Sequence, residues 1–126
     1  MRISRRFTEQ GQSPYADIEF RTAGSEIRNP DGTVVFKLDN IEVPAEWSQV
    51  ACDILAQKYF RKAGIPGARK QVVEEDVPAW LWREEPDEEA LANLPENKRD
   101  TNENSARQVI DRLARTWTYW GWKGGY

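Results

Sequence analysis

With 126 residues, 31% of them charged and 39% hydrophobic, the chain has the size of one domain, too apolar to be disordered throughout. Its net charge of −3 makes it a poor general partner for nucleic acid, whose affinity comes from phosphate neutralisation, and no apolar run approaches the roughly 20 residues that cross a bilayer. The absence of histidine removes Ser-His-Asp triads, Cys-His pairs and histidine-held metals, and the one cysteine, Cys52, excludes an internal disulfide and thiolate zinc sites.

Taken in chain order, the opening "MRISRRF" is basic (Arg2, Arg5, Arg6) but has no apolar stretch behind it, so no secretory signal is expected. From Tyr15, "YADIEFRT" alternates, with Ile18 and Phe20 on one face of an expected strand. Asn29-Pro30-Asp31-Gly32 is a strong turn, because Pro30 presets φ and Gly32 accepts a positive one. Glu26 to Arg28 and Thr33 to Leu38 should therefore pair as a hairpin, making three short strands in all. Residues 44–63 change period. Trp47, Val50, Ala51, Ile54 and Leu55 form one apolar face of a helix opened by Pro44 and stopped by Gly64 and Pro66, and this face should pack on the sheet.

Arg61, Lys62, Arg69 and Lys70 form a second basic cluster, followed by an acidic stretch from Glu74 to Glu89; each block reads first as solvated surface charge. "VPAWLW" places Trp80 and Trp82 on one side of an extended segment, or near one another in an irregular one. "PDEEALANLP" suits a short helix between Pro86 and Pro95, and "ENKRDTNEN" reads as a solvated loop, so residues 83–104 are expected to be a flexible surface segment. A second helix opens at Ser105, where Ser105 and Gln108 fit a capping box. Ala106, Val109, Ile110, Leu113, Trp117 and Trp120 form its core-facing stripe, and Gly121 ends it.

Little of this suggests catalysis. Cys52, beside the apolar face of a helix, reads as a small buried residue, and the acid pairs Glu74/Glu75 and Glu84/Glu85 read as solvated. Gly64-Ile65-Pro66-Gly67 with Arg69 and Lys70 superficially matches the G-x-x-G loop of RNA-binding KH domains, but a helix stop followed by proline explains the same residues without a ligand. Gly121, Gly124 and Gly125 lack the spacing and following helix of a phosphate loop.

The run "DIEFRTAGSEIRNPDGTVVFKLDNIEVPAEWSQVACDILAQKYFRKAGIP" (17–66) and the run "SARQVIDRLARTWTYWGWKGGY" (105–126) resemble the N-terminal domain of bacterial adenosylcobalamin-dependent, class II ribonucleotide reductases. The likeness covers about residues 7–82 and 105–126, while 83–104 depart from it, as a tolerant surface loop would. It implies a far longer protein, in which this domain precedes a catalytic α/β barrel that binds adenosylcobalamin, nucleotide substrates and effectors and carries the radical and reducing cysteines. None of those residues maps here, so no catalytic, cofactor-binding or metal residue is expected among residues 1–126, and the radical or redox roles are not carried to Cys52.

The expected fold is therefore α+β: a small antiparallel sheet packed with an amphipathic helix, plus a helix at 105–126 forming the junction to an absent catalytic barrel. The resemblance makes the chain the accessory N-terminal domain of a cytoplasmic ribonucleoside-diphosphate reductase, with the catalytic domain of the same polypeptide as partner and with neither nucleic acid nor membrane. Trp117, Trp120, Trp122 and Tyr126 are the candidate docking residues, since leaving five such aromatics exposed with Tyr119 would forgo up to roughly 20 kcal/mol of burial and create an adhesive patch. Arg61, Lys62, Arg69 and Lys70 are a candidate contact for an anion or nucleotide. The alternative is a stand-alone interaction module binding a protein through the aromatic stretch, and a further rival is a single-strand nucleic-acid binder that stacks bases on it.

Overall fold

Asn29-Pro30-Asp31-Gly32 turns the chain as its composition predicts: the Asn29 amide donates to the Thr33 carbonyl (2.8 Å), the Gly32 amide to the Asn29 carbonyl (2.9 Å), and Gly32 holds φ +88°. The structure, a computed structural model, describes residues 3–126, so Arg2 of the opening basic cluster lies outside it. The turn joins β1 (Phe20–Arg28) to β2 (Val34–Pro44) in an antiparallel pair. Two expectations change here. The strand foreseen from Tyr15 begins only at Phe20, because Ser13-Pro14 starts a turn in which the Ser13 hydroxyl accepts from the Tyr15 amide (3.2 Å) and its carbonyl from the Ala16 amide (3.1 Å). What remains of it is continuous with the Glu26–Arg28 stretch, so three strands become two. A register shift between Ala23 and Ser25 lies opposite Asn40, which takes φ +56° and bends the ladder as a bulge does.

The chain divides into two units: Met1–Tyr59 with Asn104–Arg107, and Phe60–Glu103 with Gln108–Tyr126. In the first, the hairpin is joined by α1 (Gln49–Ile54), which runs into a π turn at Leu55–Tyr59. Ser48, not Pro44, caps α1, its hydroxyl accepting from the Ala51 amide (3.2 Å); Pro44 is the last residue of β2. The helix meets β1, but through a polar stripe. Ser25 donates to the Asp53 carboxylate (2.7 Å), and Gln49 donates to the same carboxylate (2.9 Å) and to the Gly24 carbonyl (2.8 Å). Cys52, Leu55 and Ala56 are buried, whereas Val50 is 67% and Ile54 51% exposed, so the expected Trp47/Val50/Ile54 core face is corrected by one residue of phase. The later start and the wider π turn shift the phase that a strict 3.6-residue period assigns. Ile54 instead lines a hollow of about 240 Å³ together with Trp47, Ala51, Leu55 and Tyr59. Cys52 is fully buried, as its position suggested, with Arg21 donating to its sulfur (3.4 Å).

In the second unit two short antiparallel ladders are tied by sequence-distant pairings: β3 (Ile65–Pro66) with β6 (Asp100–Thr101), and β4 (Arg69–Gln71) with β5 (Glu84–Pro86). α2 (Glu88–Ala92) lies between Pro86 and Pro95 as foreseen, capped by the Asp87 carboxylate accepting from the Ala90 amide (3.1 Å). Residues 79–81 form a 3-10 turn rather than an extended segment, so Trp80 stays exposed while the Trp82 indole donates inward to the carbonyls of Val77 (2.8 Å) and Glu74 (3.0 Å).

α3 (Ala106–Lys123) opens at Ser105, but the hydroxyl serves the Arg107 amide (3.2 Å) and donates to Glu42 (2.7 Å). The helix also runs past Gly121, which sits in open space and carries no positive φ. It closes at the glycine pair, where the Gly124 amide donates to the Trp120 carbonyl (2.9 Å) and the Tyr126 amide to the Gly121 carbonyl (3.0 Å). Its apolar stripe is buried only at the start: Ala106 and Val109 are enclosed, while Trp117 and Trp120 are 63% and 64% exposed. The architecture is thus mixed α and β, with small antiparallel sheets and a C-terminal helix, as expected.

Candidate functional site

One face of α3 carries Gln108, Asp111, Arg112, Arg115, Thr116 and Tyr119, a spacing of three and four residues that aligns them along the helix. In the second unit they form a wall of a cleft of about 530 Å³. The rest is built by Arg61 and Ile65, by Arg69 and Glu84 of the β4–β5 ladder with Arg83 beside it, by Leu81 and Trp82, by Glu103, and by Trp120. Five arginines thus line the cleft against the three carboxylates of Glu84, Glu103 and Asp111.

Glu103 organises the inner end. It is 2% exposed, yet fully engaged: its carboxylate accepts from the Arg61 amide (2.8 Å) and from Arg112 through Nη2 (2.9 Å) and Nε (3.1 Å), with the Arg61 guanidinium at 3.5 Å. Its own amide donates to the Arg61 carbonyl (2.9 Å). Burial alone would push this carboxyl up; the Arg112 hydrogen bonds, the Arg61 amide and the two positive charges outweigh it and hold the carboxyl below its usual range.

The outer end is tied to Glu74. The Tyr119 hydroxyl donates to it (2.7 Å), Arg83 donates to its other oxygen (3.2 Å), and Lys123 lies 3.6 Å away while bridging to Asp76 (2.8 Å). The Tyr119 bond is the main reason that the Glu74 carboxyl sits below its usual range, with Arg83 and Lys123 adding to it against the opposing effect of burial. In a Tyr119→Phe chain the Glu74 carboxyl is expected to titrate at higher pH, measured by carboxyl carbon NMR. An unchanged titration would mean that the arginine and lysine suffice.

Of the basic cluster read from the sequence, the structure brings Arg61 and Arg69 to the cleft and leaves Lys62 and Lys70 off it. Arg69 pairs with Glu84 (3.0 Å) and Lys70 with Glu85 (3.7 Å). Of the docking candidates, Trp117, Trp120 and Tyr126 are exposed, and Trp122, also exposed, is anchored through its indole to the Asp76 carbonyl (2.7 Å). The sequence alone does not disclose Arg83, Glu103, Arg112 or Arg115. A signal for the last two existed in the polar stripe of α3, but Glu103 sat in a run whose composition suggested only solvent. Among the described residues, no group of three or more acidic, cysteine or histidine side chains is placed to hold a metal, and no helix is long and apolar enough to cross a membrane.

Residues 21–126 match the sequence model of a family described as class II vitamin B12-dependent ribonucleotide reductase. The whole chain is 69% identical to a vitamin B12-dependent ribonucleotide reductase of Bradyrhizobium diazoefficiens and 66% identical to one of Agrobacterium fabrum, covering 10% of each. A protein of the same name from Rhodopirellula baltica is 27% identical over 94% of the chain, which covers 8% of it. The chain therefore spans about a tenth of the length of the curated relatives it matches.

Proposed function

Because the chain belongs to the class II vitamin B12-dependent ribonucleotide reductase family, as its N-terminal domain, we propose that it acts within a full-length ribonucleoside-diphosphate reductase that makes deoxyribonucleotides for DNA synthesis. The observation that carries this reading is the pairing of 69% identity along the whole chain with coverage of only 10% of the relative. The domain is accessory: it holds no catalytic residue, and its partner is the catalytic domain of the same cytoplasmic polypeptide, where nucleotide substrates and effectors bind.

Adenosylcobalamin, which supplies the organic radical when bound, belongs to that catalytic domain. The residues present here do not fit it. The arginine-lined cleft, at about 530 Å³ and walled by ionic side chains, is too small and too charged for a corrin ring with its nucleotide tail. No step of the reaction is therefore assigned to this chain.

Its contribution is docking. Trp117, Trp120, Trp122 and Tyr126 are all exposed, and aromatic side chains of this kind dominate interface energetics when covered. The test is the mass of the native product in the source cells, detected with an antibody against residues 1–126. A band several times 14.6 kDa is expected. A band near 14.6 kDa would overturn the reading and favour a stand-alone interaction module.

A further inference from the structure

On the reading that the chain works inside a longer reductase polypeptide, we infer that the apolar hollow on α1, in the first unit, is a second docking site, which seats an apolar side chain from the catalytic part of that same polypeptide. It is built from other residues than the aromatic end of α3.

A helix beside a small sheet ordinarily buries its apolar stripe and leaves polar side chains in water. Here the rotation differs. Gln49, Asp53 and, in the π turn, Gln57 are spaced by four and face the hairpin: Ser25, 3% exposed, donates to Asp53 (2.7 Å) and accepts from Gln57 (3.4 Å), and Gln49 donates to the Gly24 carbonyl (2.8 Å). Rotating Val50 or Ile54 inward would break these bonds, so both stay in water. Arg21 of β1 donates to the carbonyls of Trp47 (2.7 Å) and Ala45 (3.2 Å), which fixes the entry to the helix before anything binds. The π turn at Leu55–Tyr59 widens the other end, a departure from α geometry that recurs at functional sites. Of the lining, Leu55 is buried while Ile54 and Tyr59 are about half exposed, so the hollow opens to water.

Size selects the occupant. At about 240 Å³ the hollow falls below the roughly 300–1,000 Å³ of small-molecule sites, and its lining offers no charged side chain to orient a metabolite. It has room for an apolar side chain of leucine or phenylalanine size. For a freely diffusing protein, or a second copy of this chain, the patch is too small: stable complexes bury roughly 800 Å² on each partner, from about 20–30 residues, and the five lining side chains with Val50 fall well short. Within one polypeptide the same patch suffices, because a short tether supplies an effective concentration in about the millimolar range. The chain covers only 10% of each of the two most similar relatives described above, and the remaining nine tenths offer such a tethered partner.

The experiment introduces a photoreactive side chain, Val50→benzoylphenylalanine, one turn from Ile54 in the native full-length product, and maps its cross-links by mass spectrometry. Cross-links within one polypeptide, to apolar residues beyond position 126, are expected. Adding Ile54→Asp should lower their yield about tenfold, since a carboxylate is costly to cover, whereas Ile54→Leu should keep it. Where Ile54→Asp fails to fold, alkylation of Ile54→Cys takes its place: a rate in the native product at least about tenfold below that in urea is expected, against near-equal rates for an uncovered side chain. A cross-linked species of doubled mass, cross-links to another protein, cross-links confined to residues 1–126, none at all, a yield indifferent to Ile54→Asp, or near-equal alkylation rates would each overturn the inference. A native product near 14.6 kDa would remove the family reading and this site together, whereas a large product with any of those results removes this site alone.

Discussion

Glu103→Ala is expected to destabilise the chain by about 3 kcal/mol at neutral pH, the lower end of what breaking a buried ion pair costs, because Arg61 and Arg112 keep partial access to water. The loss has two parts. Arg112 and Arg61 lose the carboxylate that neutralises them, and the Arg61 amide loses its acceptor at 2.8 Å. Glu103→Gln retains the shape and one acceptor oxygen and should cost less, roughly 1–3 kcal/mol. The two variants also separate charge from packing through pH. Since the folded carboxyl titrates below its unfolded value, its stabilising contribution is complete above the ordinary glutamate range and is lost as pH falls through the folded pKa. The gap between parent and Glu103→Gln should therefore be full at pH 7 and shrink below about pH 4. Urea unfolding at the two pH values measures it. A Glu103→Ala chain within about 0.5 kcal/mol of the parent would show that the cluster is surface decoration.

How far the sequence discloses this molecule depends on how local each determinant is. The Asn29–Gly32 turn was legible because its hydrogen bonds join residues three and four apart. The short helix between Pro86 and Pro95 was legible for the same reason, through Asp87 and its cap. The inward face of α1 was not, since it is set by Ser25 on another element, which recruits Asp53 and Gln49 and leaves Val50 and Ile54 outside. The cleft was half legible: Arg61 and Arg69 stood out as a cluster, but Arg83, Arg112 and Arg115 join them only through folding. Glu103 was the hardest. Carboxylates are seldom enclosed, and nothing in "ENKRDTNEN" distinguishes the one that is. The aromatic end shows the converse, a strong apolar pattern that the chain by itself leaves uncovered at Trp117 and Trp120.

Gly67→Ala and Gly121→Ala should move stability in opposite directions, although both glycines drew attention in the sequence for reasons of motif. At Gly67 an added methyl would fall far inside the van der Waals contact distance of the Lys98 carbonyl oxygen, a backbone atom that no rotamer change can move. Relief requires the 98–101 segment to back away, which breaks the bond from the Gly67 amide to the Arg99 carbonyl (2.9 Å) and strains its neighbours, the Gly64 amide to Asp100 (2.6 Å) and Thr101 to the Ile65 carbonyl (2.9 Å). A loss of about 2–3 kcal/mol is expected. Because Thr101 lies two residues before Glu103, the same displacement should loosen the Arg61–Glu103 contact. Gly121 meets nothing within 4 Å and lies inside α3, so alanine there should add up to about 1 kcal/mol by restricting the unfolded chain. Thermal unfolding of the two variants decides the matter. A neutral Gly67→Ala would mean that the β3–β6 pairing yields freely and that the close approach of the Lys98 carbonyl is not what requires glycine there.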